Sequence, residues 1–116
     1  MEKIRLVIYE TRDGKCPFQQ WINRISDTQT QARIFRYVRS LSLGNFSNCR
    51  SLGEGVHELK INVGPGYRVY FANAEKTIII LLCGGTKKHQ DKEIQAAQKY
   101  WADYKKREQS LKGWQQ

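Results

Sequence analysis

The sequence is poor in the residues and segments that mark secreted, metal-binding and membrane proteins. Its 116 residues include only three cysteines, Cys16, Cys49 and Cys83, which lie too far apart for a disulfide framework or for the paired cysteines of a zinc site. No apolar stretch approaches the roughly 18–20 residues that a membrane span requires. The first residues lack the apolar core and small-residue cleavage site of a signal peptide. We therefore expect a cytoplasmic protein that binds no membrane.

Two further absences argue against a metal and against a nucleotide cofactor. Residues 82–88 (LCGGTKK) fall short of the phosphate-loop pattern. His57 and His89 have no cysteine or carboxylate neighbours at the spacing of metal ligands. We predict that the protein uses no cofactor and no metal, and we interpret His57 as a packed histidine on the core side of a strand with Leu59.

Acidic residues are also scarce, since 11 Asp and Glu face 20 Lys and Arg, which gives a formal net charge of +9. The excess lies in the flanks, because residues 53–86 carry three charges of each sign. Such a surface attracts polyanions, for example nucleic acid or an acidic protein partner. At this length, and with 40% hydrophobic residues, we expect a single domain over residues 1–107 and a frayed tail over residues 108–116.

Hydrophobic periodicity predicts the element order β-α-α-β-β-β-α. Pro17 suits the first turn of a helix, and Phe18, Trp21 and Ile22 repeat on one face of that helix. Residues 45–55 have the composition of a polar loop, and Gly84 and Gly85 are expected to end the last strand. The other predicted elements are strands over residues 3–9, 58–63, 67–73 and 77–83, and helices over about 28–43 and 90–107.

Three consecutive strands joined by short turns predict an antiparallel meander. Helices must then cover the apolar side of that sheet. The predicted fold class is therefore α+β, a two-layer domain with a mainly antiparallel sheet and its helices packed on one face. The other face of the sheet would be free to bind a ligand.

Basic and aromatic side chains collect around the Gly-Pro-Gly turn at residues 64–66. If Val63 pairs with Tyr67, then Lys60, Arg68 and Tyr70 share one face of the hairpin. Glu58 lies on the same face of its strand. The last strand is followed at once by three further candidate residues, which are Lys87, Lys88 and His89.

This set of residues suits the cleavage of a phosphodiester. Attack by the 2′-hydroxyl of RNA needs a proton acceptor, a donor for the leaving oxygen and positive charge near the phosphoryl oxygens. Arginine can clamp a phosphate with two hydrogen bonds, and lysine can act as a point charge or as a base. The same residues could instead hold a nucleic-acid backbone without chemistry, or only solvate the surface.

A second basic feature lies on the predicted second helix. Arg33, Arg36 and Arg39 recur at a spacing of three residues and form a stripe. Such a stripe is commonly a solvated helix face. Its functional interpretation is a second surface that contacts RNA or the ribosome.

Three segments together carry a family resemblance: residues 52–60 (LGEGVHELK), 64–71 (GPGYRVYF) and 81–90 (LLCGGTKKHQ). They resemble the addiction-module killer proteins, a HigB-like branch of the RelE/ParE toxin superfamily. The resemblance spans about residues 3–104. It implies a RelE-like fold and the toxin of a type II toxin–antitoxin module. It also implies a metal-independent endoribonuclease that cleaves mRNA in the ribosomal A site and so inhibits translation.

The resemblance also implies roles for single residues. Arg68 would clamp the phosphate in the transition state, and Lys60 would be a phosphate contact or a base. Lys87 or Lys88 would neutralise charge, and His89 would be the proton donor. Two further residues, Glu58 and Tyr70, are candidates whose roles stay open.

The implied partners are mRNA on the ribosome and a cognate antitoxin of helix-turn-helix type encoded beside the toxin. We expect the free toxin to be monomeric. The ParE branch shares this fold but inhibits DNA gyrase and cleaves no RNA, so fold alone does not define the activity. The alternatives are therefore a gyrase inhibitor without nuclease activity and a non-catalytic RNA-binding module.

Overall fold

A computed structural model describes residues 3–114, with side chains through residue 111. It confirms the α+β class, because three helices and a five-stranded, mostly antiparallel sheet form one fold. The strands are β1 (Arg5–Ile8), β2 (Cys49–Gly53), β3 (Val56–Ile61), β4 (Tyr67–Glu75) and β5 (Ile78–Thr86). The helices are α1 (Pro17–Arg24), α2 (Thr28–Ser42) and α3 (Gln90–Trp114), and a 3-10 turn over Lys87–His89 precedes α3.

The helix starts follow the local signals in the sequence. Pro17 occupies the first turn of α1, where its missing N–H costs no hydrogen bond. Asp27 caps α2, and its carboxylate accepts the backbone N–H of Gln29 at 3.1 Å. Both signals are local in the sequence, which is why both starts could be predicted.

The sheet has the strand order β1-β5-β4-β3-β2. Strands β2 to β5 form an antiparallel meander, as predicted, while β1 pairs with β5 in parallel. β1 and β2 are thus the two edge strands. Among the described residues, no helix is long and apolar enough to cross a membrane.

The prediction of a polar loop over residues 45–55 is wrong, because this segment contains β2. Only Cys49 and Leu52 of β2 are partly buried, so the segment lacks the alternation that identifies a strand. Pairing with β3 creates the strand instead. The turn between the two has positive φ at both central residues, +55° at Glu54 and +82° at Gly55, as a type I′ hairpin requires.

The prediction that all helices pack on one face of the sheet is also wrong. Strands β4 and β5 are apolar on both sides, so two layers of helix are needed to keep them from water. Helices α1 and α2 cover one face over Leu59, Val69 and Phe71. Helix α3 covers the other through Ala97 and Trp101, and this second core includes Val56, Tyr70, Ala72, Ile80 and Leu82.

Two predicted boundaries fall short. β5 continues through Gly84 and Gly85 to Thr86, and α3 continues past Arg107 to Trp114. Residues 108–111 are exposed or half-buried and continue the helix, and the fraying of this tail stays a prediction. Residues 115 and 116 of the predicted tail lie outside the described residues.

Helix α3 is anchored at its far half by a polar cluster around Asp103. The Tyr9 hydroxyl donates to Asp103 at 2.6 Å, and Arg12 and Arg107 pair with the same carboxylate at 3.0 and 2.9 Å. These partners hold the pKa of Asp103 below its usual range, with the Tyr9 hydrogen bond as the largest cause. The cluster fixes α3 across the sheet, and this fixes the position of its first turn at the candidate site.

Candidate functional site

The register of the β3–β4 hairpin differs from the predicted one. Ile61, not Val63, lies opposite Tyr67, so Lys60 pairs with Arg68 and Glu58 pairs with Tyr70. The shift amounts to two residues, and side chains alternate with a period of two. The predicted face is therefore preserved although the pairing partners change.

Glu58 is the centre of a buried polar cluster on the α3 face. Its side chain is 1% exposed, and Arg68 beside it is 7% exposed. Arg68 Nη1 donates to Glu58 Oε1, and Gln90 Nε2 donates to the same oxygen at 3.2 Å. Arg50 Nε donates to Glu58 Oε2 at 2.5 Å. Both carboxylate oxygens of Glu58 are thus buried and hydrogen-bonded. A general base needs an oxygen that can reach its substrate, and this arrangement does not favour that role for Glu58.

The Arg68 guanidinium is only partly satisfied by this cluster. Its Nε is buried and has no hydrogen-bond partner among the described residues. Buried donors are nearly always paired, and an unpaired one on a charged group is costly. Because this Nε is itself shielded from solvent, a ligand could reach Arg68 only through the small exposed part of its side chain.

Exposed basic residues lie beside the buried pair on β3 and just beyond the end of β5. Lys60, Lys87, Lys88 and His89 are all exposed, and within the described residues none of them forms an ion pair. Arg68 lies opposite Gly85 in the sheet, two residues before the turn that carries Lys87. A surface depression of about 420 Å³ is lined by residues 87–92 at the start of α3, where the helix dipole adds positive potential.

Tyr70 does not reach this surface. It is fully buried, and its hydroxyl donates to Glu93 Oε1 at 3.0 Å. Desolvation, followed by the charge of Glu93, raises the pKa of Tyr70 far above its usual range. Glu93 Oε2 also accepts the backbone N–H of Thr86 at 3.3 Å. Tyr70 and Glu93 together hold the first turn of α3 against the end of β5.

Sequence reasoning missed Arg50 and Glu93. Predicting the role of Arg50 would have required predicting β2, because Arg50 lies opposite Glu58 only when β2 pairs with β3. The sequence held one indication of Glu93, which is Gly85. A glycine inside a strand often marks a place where another group approaches the backbone closely. A side chain at Gly85 would collide with the Glu93 carboxylate.

The arginine stripe lies away from this cluster. Arg33, Arg36 and Arg39 are exposed on α2, and α2 packs on the opposite face of the sheet from α3. They form no ion pair within residues 3–111. The stripe is thus a separate basic surface.

His57 is half-buried and stacks on Phe71, with ring centroids 5.4 Å apart. It lies on the same side as Leu59, as predicted. Burial lowers its pKa. The part of the chain that the structure describes contains no group of three or more His, Cys, Asp or Glu that could hold a metal ion.

We expect the protein to lose stability as the pH is lowered, because of the titration of His57. Its folded pKa lies below the ordinary 6.5, so the unfolded chain binds a proton that the folded chain excludes. The free energy of unfolding therefore increases with pH in this window. The contribution of the neutral His57 is lost progressively as the pH falls below about 6.5. Urea unfolding at about pH 7.5 and about pH 5.5 measures this loss. In His57→Phe, which keeps the stacking, the difference between the two pH values should be smaller; an equal difference would contradict the assignment.

The sheet with its three helices is consistent with a RelE-like α+β fold. A profile of the family described as "Phage derived protein Gp49-like (DUF891)" matches residues 20–103, and the chain belongs to this family. The chain is also 40% identical over 80 residues to an uncharacterized protein of Haemophilus influenzae, a match that covers 69% of this chain and 81% of the relative. The Gp49-like family is associated with toxin–antitoxin addiction modules, which confirms the resemblance at that level.

Proposed function

We propose that the protein is the HigB-like toxin of a type II toxin–antitoxin module and acts as a ribosome-associated mRNA endoribonuclease. The family's association with addiction modules supports the first part. The second part is carried by one observation: Arg68, whose partner is the buried Glu58, lies directly opposite the exposed Lys60 and near the exposed lysines that follow β5. Arginine and lysine together provide the positive charge and the hydrogen-bond donors that bind a phosphate group.

The proposed reaction is attack by the RNA 2′-oxygen on the adjacent phosphorus. A bond from phosphorus to the 2′-oxygen forms and the bond to the 5′-oxygen breaks. Arg68 binds the phosphoryl oxygens, and Lys60, acting as the neutral amine, accepts the proton of the 2′-hydroxyl. Lys87 or Lys88 neutralises the developing charge, and His89 donates a proton to the leaving 5′-oxygen.

Glu58 and Tyr70 have supporting roles in this scheme. Glu58 holds Arg68 in place through a buried hydrogen bond, so it is proposed as a scaffold rather than as the base. Tyr70 is bonded to Glu93 under the first turn of α3, so it is not the acid. Arg33, Arg36 and Arg39 provide a second surface for RNA or the ribosome.

The proposed partner is an antitoxin of helix-turn-helix type encoded beside the toxin. The net charge of +9 favours an acidic segment of that partner. The free toxin is proposed to be a cytoplasmic monomer that needs no metal or cofactor.

We expect Arg68→Lys to abolish growth arrest. Lysine keeps a positive charge beside Glu58 but loses the planar donors that bind a phosphate. Removing one transition-state donor costs about 100-fold or more in rate. Arg68→Ala should be equally inactive but less stable, because it leaves Glu58 buried without its partner. The measurement is colony formation after induced expression, with the fold of each purified variant checked by circular dichroism.

Lys76→Ala is the matched control, because it removes one positive charge from an exposed turn at the other end of β4 and β5. It should arrest growth as the wild type does. A folded Arg68→Lys protein with full toxicity would refute the role of Arg68. Growth arrest with inhibited supercoiling and intact mRNA would indicate a gyrase inhibitor. RNA binding without cleavage or toxicity would indicate an RNA-binding module.

A further inference from the structure

We propose that Arg50 forms a second phosphate-binding site, next to that of Arg68, for a neighbouring nucleotide of the RNA. This inference rests on the proposed function and names a residue that the sequence did not single out. Arg50 lies on the edge strand β2, directly opposite Glu58. Its side chain is 62% exposed, although its Nε bonds to a carboxylate that is 1% exposed.

The contact with Glu58 orients Arg50 without consuming it. The guanidinium has five N–H donors, and within the described residues only Nε is engaged. The terminal nitrogens therefore stay free to bind an anion. Because one end of the side chain is already held by a buried group, less conformational entropy is lost when a ligand binds.

The charges of the cluster also favour an anion. Two guanidiniums share the single carboxylate of Glu58, so the cluster keeps an excess of positive charge. Arg68 alone neutralises Glu58 in the interior. Arg50 is the surplus cation, and it faces solvent.

Lys60 extends the same surface toward Arg68. It lies two residues beyond Glu58 on β3, its backbone N–H donates to Asn48 O at 2.9 Å, and its side chain is exposed. Arg50 and Lys60 thus occupy neighbouring strands on one face, and Lys60 lies directly opposite Arg68. A single strand of RNA that crosses this face from the edge strand β2 through β3 to β4 would meet Arg50 before Arg68. Glu58 is a positioning residue for both arginines.

The test is the affinity of a short single-stranded RNA whose 2′-hydroxyls are methylated so that it cannot be cleaved. Fluorescence anisotropy over a range of salt concentrations gives the affinity and its salt dependence. Arg50→Ala should weaken binding about ten-fold and reduce the salt slope by about 0.7, the value for one phosphate contact on a single strand. Lys76→Ala, which removes the same charge elsewhere, should change neither quantity.

A double-mutant cycle tests the role of Glu58. If Glu58 orients Arg50, then Arg50→Ala should cost less affinity in a Glu58→Gln background than in the wild type. Thermal unfolding of each variant shows that the comparison is made between folded proteins. Equal losses in the two backgrounds would overturn the positioning role.

The remaining outcomes separate this inference from the proposed function. Equal binding by Arg50→Ala and Lys76→Ala, with RNA bound well by the wild type, would overturn the Arg50 site and leave the endoribonuclease standing. No RNA binding by the folded wild type at low salt would overturn the Arg50 site alone, because the proposed cleavage takes place on the ribosome. Intact mRNA in the presence of ribosomes would overturn the endoribonuclease.

Discussion

Replacing Glu58 with alanine should lower the free energy of unfolding by about 3–5 kcal/mol. Arg68 is 7% exposed, and without Glu58 its guanidinium would be buried with neither an opposite charge nor an acceptor. Breaking a buried ion pair from one side carries this cost because the remaining charge is still desolvated. Urea unfolding followed by circular dichroism measures the change.

Two variants make that measurement specific. Glu10→Ala removes an exposed carboxylate and should change stability by no more than about 0.5 kcal/mol. Glu58→Ala combined with Arg68→Met removes both buried charges and should recover part of the loss. If Glu58→Ala unfolds no more easily than Glu10→Ala, the Glu58–Arg68 pair does not stabilise the fold.

Both consecutive glycines of β5 should resist a side chain, and Gly84 more strongly, because it faces the rigid ring of Trp21 whereas Gly85 faces the end of the flexible Glu93 side chain. A Cβ at Gly84 would clash with ring atoms of Trp21, and one at Gly85 would clash with the Glu93 carboxylate. Forcing atoms into a packed site costs about 1–3 kcal/mol. Gly84→Ala and Gly85→Ala should each lower the midpoint of thermal unfolding.

Removing the opposing side chain provides the control for each glycine. Gly85→Ala should cost much less in a Glu93→Ala background, and Gly84→Ala much less in a Trp21→Ala background. Purely additive effects in both backgrounds would show that the clashes are relieved in some other way. Gly85→Ala should also displace the first turn of α3, because Glu93 holds Tyr70 and Thr86.

Local patterns predicted most of the fold. The capping residue Asp27, Pro17 at the start of α1 and the alternation in β3 are all short-range signals. β2 and the position of α3 could not be found in this way. β2 exists through pairing with β3, and α3 occupies the second face because β4 and β5 are apolar on both sides.

The site was predictable to a similar extent. Side-chain alternation placed Glu58, Lys60 and Arg68 on one face, although the register was shifted by two residues. The burial of Arg68 was not predictable, because it depends on α3. Arg50 depends on β2 in the same way. Hydrophobic periodicity therefore could not predict the features of the site that depend on contacts between elements distant in the chain.

Primer extension on a reporter mRNA in a reconstituted translation system tests ribosome-dependent cleavage most directly. The reactions contain wild-type or Arg68→Lys protein, with and without ribosomes. We predict new 5′ ends in frame with the A site, only with ribosomes and only with the wild-type protein. Intact mRNA in every reaction, from wild-type protein that still arrests growth, would contradict the endoribonuclease assignment. Equal cleavage by Arg68→Lys would contradict the role of Arg68.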